Sequence, residues 1–376
     1  MQPELNDTCS WEPVNTLMLE GVQKGVFPGA VLLVWLRGSI LLHKGYGNAD
    51  IGHTTVAATP EILYDLASLT KPLVTTLAVI GLVEKKKLSI DSGLDEIFQN
   101  EELIPSDKKK ITIRHLLSHT SGLPAYKPYY RKLTDYEEKD RWKRLWGFLL
   151  DEPLGVNPGA STCYSDLGFL VLQKVVEFLS KKSLWKFVRE QFYLPLGLTS
   201  LVFSPAQVNQ KLLLEFDVAA TEICHWRGRK ICGEVHDENA FVLGGIAGHA
   251  GLFGTAEDIC KLLTLMFFDY SKGTTHLGVK QDLLRTFWER QTELGNGTWA
   301  LGFDTPAATA SSAGKYFSPN SVGHLGFTGT SFWFDLDREL LVVLLSNRVY
   351  IGRENEKIKE FRPLIHDRII ECLDSV

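Results

Sequence analysis

Ser68 and Lys71 stand three residues apart in the stretch Leu63-Tyr64-Asp65-Leu66-Ala67-Ser68-Leu69-Thr70-Lys71-Pro72, which runs straight into the apolar segment 73–83. Pro72 lacks an N–H and is tolerated only near a helix start, while Leu73, Leu77, Ile80 and Val83 recur at helical spacing, so a helix should begin close to Ser68. Residues three apart on a helix have Cβ atoms about 5–6 Å apart, which puts the Lys71 amine within reach of the Ser68 hydroxyl. A serine hydroxyl needs an adjacent base to act as a nucleophile, and a helix N-terminus favours an anion forming there. The chemistry open to this pair is attack on a carbonyl; the competing reading of Ser68 is an ordinary helix cap. Spacing alone does not choose, because Ser106 with Lys109, Ser183 with Lys186 and Ser312 with Lys315 repeat it. Only Ser68 opens a long apolar helix.

Tyr164-Ser165-Asp166 follows the turn Asn157-Pro158-Gly159 and opens an apolar helix over 167–178. A tyrosine hydroxyl can carry protons between a serine, a lysine and a leaving group where cations lower its pKa. A cap at Ser165 or Asp166 beside a half-buried Tyr164 explains the same residues. Gly323-His324-Leu325-Gly326-Phe327-Thr328-Gly329-Thr330-Ser331 offers glycines that let backbone approach a ligand and N–H groups that can serve as an oxyanion hole. Bends at a strand start account for the glycines equally well. His115 and His119 are spaced like a helical zinc pair, and His236 and His249 add imidazoles. No His-Glu-x-x-His occurs, which weighs against a zinc site. No Gly-x-Ser-x-Gly elbow occurs either. Tyr126, Tyr129, Tyr130 and Trp142 either wall a cleft beside the serine or pack an irregular segment.

These residues need a scaffold to bring them together. The apolar runs 30–36 and 40–43 flank the turn Arg37-Gly38-Ser39 and read as a hairpin; 331–334 and 340–346 flank Asp335-Leu336-Asp337-Arg338 and repeat the design. Two hairpins that cannot each bury both faces should share one antiparallel sheet and so bring the chain ends together. Between them helices are expected over 73–86, 113–119, 141–150, 167–178, 185–192 and 256–268. With no linker rich in Gly, Ser or Pro, residues 1–376 read as one catalytic unit, with a sheet lobe from 1–75 and 235–376 and a mainly helical lobe from 76–234. A cleft between lobes is a common small-molecule site.

The 376 residues carry a net charge of −5, which gives no electrostatic reason to expect nucleic acid. No apolar run approaches the roughly 20 residues of a membrane span. The first twelve residues have neither a basic start nor an apolar core, so the chain as written is expected to be cytoplasmic; a trimmed start would allow a periplasmic or extracellular protein. The six cysteines (Cys9, Cys163, Cys224, Cys232, Cys260, Cys372) show no Cys-x-x-Cys spacing and are expected to be free thiols, with a cross-strand pair of Cys224 and Cys232 the one exception open.

The three elements in this order, with Ile111-Thr112-Ile113-Arg114-His115-Leu116-Leu117-Ser118-His119-Thr120-Ser121-Gly122-Leu123-Pro124 between the first two, resemble the serine β-lactamase and penicillin-binding-protein family. The resemblance is nearest its class-C-like, esterase-like branch and runs from Phe27-Pro28-Gly29-Ala30 to Leu345-Ser346-Asn347-Arg348. Gly233-Glu234-Val235-His236-Asp237-Glu238-Asn239-Ala240 and Gly248-His249-Ala250-Gly251-Leu252-Phe253 also resemble a bacterial subgroup of it. The family's S-x-x-K, S-D-N and K-T-G positions fall here on Ser68 to Lys71, Tyr164 to Asp166, and His324 to Gly326. The resemblance implies an α+β, β-lactamase/DD-peptidase-like fold, an antiparallel sheet flanked by helices plus a helical lobe. It implies a serine hydrolase with no metal or organic cofactor, acting on a small-molecule or peptidoglycan-derived substrate: a D-alanyl peptide, a β-lactam or a small ester. Ser68 would form the acyl-enzyme, Lys71 and Tyr164 would share the proton work, and the N–H groups of Ser68 and Phe327 would hold the oxyanion. Asp166, His324, Gly326 and Arg348 would contact substrate, and a monomer is expected. Two positions depart from the pattern. Asp166 replaces an Asn and cannot donate an amide hydrogen bond, and its charge would favour a protonated Lys71. His324 replaces a lysine and is mostly neutral at pH 7. Both shift weight from lactam hydrolysis toward an esterase or specialised peptidase. The alternative is a catalytically weak penicillin-binding-like protein acting as a binding module.

Overall fold

The structure, a computed structural model, describes residues 10–51, 55–99, 103–214 and 216–375; Cys9 lies outside them. In chain order its strands are β1 (Gly29–Leu36), β2 (Ser39–Ile51), β3 (Thr55–Ala57), β4 (Tyr64–Asp65), β5 (Val202–Phe203), β6 (Ala220–Cys224), β7 (Arg229–Cys232), β8 (Leu252–Gly254), β9 (Ser321–Leu325), β10 (Ser331–Asp335) and β11 (Leu340–Ser346). One antiparallel sheet takes six of them in the order β3-β2-β1-β11-β10-β9. Both expected hairpins are present, and they join where β1 runs against β11, from Ala30 opposite Ser346 to Leu36 opposite Leu340. These central strands are apolar at successive positions because helices cover both faces. Val31, Leu33, Leu341 and Val343 enter one core with the helix Ala256–Lys272. Ala30, Leu32, Val342 and Leu344 enter a second with the helices Glu12–Gln23 and Ile358–Asp374.

Neither terminal helix is among those expected. Glu12–Gln23 buries only Val14, Met18 and Gly21, a narrow stripe, and Ile358–Asp374 carries Pro363 in its interior, which reads as a breaker in sequence. The expected helices form as Leu77–Glu84, Ile113–Leu117, Glu138–Asp151, Asp166–Ser180, Leu184–Val188 and Ala256–Lys272. The apolar run Ala67–Glu84 is long and apolar enough to cross a membrane by composition, and the fold buries 83% of it as a core helix. β6 and β7 form the hairpin expected around Arg227-Gly228-Arg229, but Cys224 lies opposite Arg229 and Cys232 opposite Ala220. The two thiols sit at opposite ends of the ladder and are free.

Candidate active site

The chain enters the site through β4, which pairs with β8, then turns sharply at Ala67. Ala67 has φ +47, in the left-handed region that a side chain disfavours. Hydrogen bonds from both sides hold it there: its N–H donates to Asp65 Oδ1 at 2.8 Å, and its carbonyl accepts from Thr70 Oγ1 at 2.6 Å. Asp65 is buried, and burial pushes its carboxyl pKa upward. Its other oxygen accepts the His236 N–H at 2.7 Å, so it ties the turn to the 236 segment. Pro72 has no N–H to return to the Ser68 carbonyl, and the chain continues as a wide π turn, Lys71–Thr76, before settling into Leu77–Glu84. Ser68 is thus left half-buried on a short 3₁₀ turn, Ala67–Leu69.

Lys71 is fully buried, and its Nζ meets three acceptors: Ser68 Oγ at 3.0 Å, Asp166 Oδ1 at 2.6 Å and the His249 carbonyl at 3.3 Å. Burial alone would lower its pKa, but Asp166 and Tyr164 outweigh burial and hold it above the ordinary lysine value. Tyr164 lies with its ring centroid 4.8 Å from the Lys71 amine. Burial raises the phenol and Asp166 adds to it; Lys71 and Ser68 pull the other way without overcoming them. The capping reading of Ser165 also holds and does not compete, since its Oγ accepts the Gly168 N–H while Tyr164 lies just before the helix. His119 sets this segment: its Nδ1 accepts the Ser165 N–H at 3.0 Å and its ring lies 4.5 Å from that of Tyr164.

The third element is the turn between β9, at the sheet edge, and β10. Gly326 is required here, because a Cβ would lie 2.0 Å from Thr330 Oγ1 and 2.8 Å from the Leu66 carbonyl. Thr328 Oγ1 donates to the Asp65 carbonyl at 2.7 Å and Thr330 Oγ1 to that of Leu66 at 3.1 Å, pinning the turn beside Ser68. Among the described residues the N–H groups of Ser68 and Phe327 have no intramolecular acceptor. The Phe327 side chain is 47% exposed and stacks on His236. His324 is buried, and burial together with Lys71 drives its imidazole to about 3, so it is neutral. Its Nδ1 pairs with the Leu325 carbonyl and its Nε2 has no partner.

Arg348, expected as a substrate contact, is buried; its Nε donates to the Phe327 carbonyl at 2.9 Å and its Nη1 to the carbonyls of Arg353 at 3.2 Å and Asn355 at 2.5 Å. Ser183, one of the decoy serines, caps Leu184–Val188 by accepting the Lys186 N–H. His115 Nδ1 accepts the Thr112 N–H in a capping box. Among the four aromatics, Tyr126 is 40% exposed and lies in the field of Asp237, Glu238 and Asp166, whereas Tyr129 and Tyr130 are buried and Trp142 packs against the core. Asp237 and His249 stand outside the expected set. Their side chains bond at 2.9 Å, and one ligand atom from each of them and from Asp166 falls within 4.8 Å of the others. Burial works against ionisation of Asp237, but His249 and the Ala240 N–H hold it at about 2. Asp65, Thr70 and Arg362, whose Nη2 donates to Gly326 O and Thr330 O, were also unforeseen.

The Beta-lactamase family model matches residues 14–365. A protein of Escherichia coli (strain K12) named "Putative D-alanyl-D-alanine carboxypeptidase" is 31% identical over 348 residues, covering 86% of this chain and 79% of that protein. A protein of the same name from Salmonella agona (strain SL483) is 30% identical over 357 residues, covering 88% and 81%. Among solved structures, the octameric penicillin-binding protein homologue from Pyrococcus abyssi superposes with a TM-score of 0.69 at 21% identity, covering 89% of this chain and 73% of its own. EstCE1, described as a hydrolase with promiscuous acyltransferase activity, gives a TM-score of 0.71 at 21% identity, covering 95% and 99%. At such identities the structures show the fold, an antiparallel sheet with flanking helices.

Proposed function

This chain belongs to the Beta-lactamase family, and on that premise we propose that it is a serine hydrolase working through an acyl-enzyme on Ser68. The observation that carries the reading is the Lys71 amine 3.0 Å from the Ser68 hydroxyl, with the Tyr164 ring centroid 4.8 Å from the same amine. Ser68 Oγ attacks the carbonyl as its proton passes to Tyr164 in the phenolate form, whose negative charge Lys71 supports and which burial and Asp166 make the minor form. The oxyanion sits between the N–H groups of Ser68 and Phe327. Tyr164 then returns the proton to the leaving group, and water hydrolyses the ester on Ser68.

The names of the relatives support a D-alanyl peptide as substrate, and the esterase-like neighbour supports a small ester. Charge separates a small ester from the other two, because a D-alanyl-D-alanine peptide and a β-lactam antibiotic both carry a carboxylate beside the scissile bond. Lys71 has three acceptors, His324 is neutral, and Arg348 and Arg362 are buried on carbonyls. Among the described residues each of these cations already meets an acceptor, which favours a small ester over substrates that carry a carboxylate beside the scissile bond. The second reading, a binding module with slow turnover, is favoured by the Lys71–Asp166 bond, which keeps the amine protonated.

The test pairs wild type with Ser68→Ala on a short-chain nitrophenyl ester, a fluorescent penicillin and a D-alanyl-D-alanine peptide. Ester turnover should fall by at least about a thousandfold in the variant. Turnover surviving in Ser68→Ala overturns the mechanism, and stoichiometric labelling of wild type without turnover selects the binding module.

A further inference from the structure

The two N–H groups assigned to the oxyanion each belong to a peptide unit whose carbonyl faces the other way. The N–H of Ser68 shares its peptide with the Ala67 carbonyl, and that carbonyl accepts both the Thr70 hydroxyl, at 2.6 Å, and the Thr70 N–H. The N–H of Phe327 shares its peptide with the Gly326 carbonyl, which accepts Arg362 Nη2 at 3.0 Å and the Gly329 N–H at 3.1 Å. A donor placed on a peptide's oxygen draws electron density from its nitrogen and makes the N–H a stronger donor; condensed-phase cooperativity of this kind is about 10–30% per bond.

Arg362 is an unusual residue to find in this place. It is buried on the helix Ile358–Asp374, and no carboxylate lies within ion-pair distance of it among the described residues. Burial, with Arg348 adding, lowers its pKa to about 9. A buried cation without a counter-ion is costly. Here its nearest acceptors are carbonyls of the turn that carries Phe327, and the charge that would complement it is the one developing on the substrate oxygen one peptide away.

We propose that Thr70 and Arg362 are positioning residues that polarise, from behind, the two peptide units receiving the oxyanion. The proposal rests on the acyl-enzyme reading above. Loss of a whole oxyanion donor costs about 10²–10³ in turnover. Loss of the polarising partner alone should therefore cost about tenfold, in kcat rather than KM.

The experiment uses Arg362→Met and Thr70→Val, with Arg362→Lys and Thr70→Ser as conservative partners, all on the nitrophenyl ester. The isotope-edited infrared band of the acyl carbonyl on Ser68 reports how strongly the hole polarises it. In Arg362→Met and in Thr70→Val, kcat should fall about tenfold with KM within about twofold, and the band should move to higher frequency. Arg362→Lys and Thr70→Ser should recover most of both. Wild-type kcat and band position in either folded apolar variant overturn the proposal for that peptide, and so does a kcat loss with an unshifted band, which assigns a merely structural role. Should Arg362→Met fail to fold, Thr70→Val carries the test on the other peptide. Ser68→Ala separates the two levels: full turnover there removes the acyl-enzyme reading itself, whereas an inactive Ser68→Ala beside unaffected Thr70 and Arg362 variants removes only this inference.

Discussion

With Ser68, Asp166 and the His249 carbonyl as its three acceptors, the Lys71 amine holds its proton, and the phenolate form of Tyr164 is the group left to take one from the serine. Asp166 raises the pKa of both neighbours. Asp166→Asn should therefore move the rising, acid-side limb of the kcat/KM profile to lower pH by about one unit, because phenolate forms more readily once the carboxylate is gone. A limb that stays in place or moves up excludes Tyr164 as the base. Ser68, Lys71, Tyr164 and Asp166 were legible in sequence because each opens a helix in a short polar motif. Thr70 and Arg362 were not, because their action runs through carbonyls of other segments. The separation of 36 positions between Gly326 and Arg362 carries no pattern announcing that contact. The carbonyl partners of Arg348 were hidden for the same reason, since they come from the turn at Phe327 and from the chain folding back at Arg353 and Asn355.

At the scale of elements, the turn before Ser68 is under strain. A left-handed non-glycine residue costs about 1–2 kcal/mol, and glycine's greater freedom when unfolded returns about 0.5–1 of that. Ala67→Gly should thus stabilise the fold by about 0.5–1 kcal/mol, read as a higher urea midpoint. A lower midpoint would mean that the Ala67 conformation costs nothing. The hairpins and the amphipathic helices were legible because alternation and helical spacing are local properties. The edge strand β9 was not, since its pairing with β10 gives order to a stretch whose glycines read as a loop. Pro363 hid the last helix, although that helix delivers Arg362 to the site.

Across the whole molecule, buried titratable groups set the response to acid. Burial holds His366 near 4 and His324 near 3, below the ordinary imidazole value of 6.5. The unfolded chain therefore takes up their protons first, and stability should fall as pH drops from about 6.5 through those values. Glu222, held at about 2 by His236 and Arg353 against the opposing effect of burial, adds a loss between about 4.5 and 2. The urea midpoint should decline steadily from pH 7 to 4, and His366→Asn should flatten the upper part of that slope; a flat wild-type profile contradicts the assignment. The pairing of β1 with β11 has a different consequence, one of timing. Leu36 lies opposite Leu340, so the first central strand has to await a partner made 304 residues later. At about 5–20 residues per second on the ribosome, that delay lasts about 15–60 s. Throughout it an apolar ribbon stays open along one side, a template on which another chain could pair.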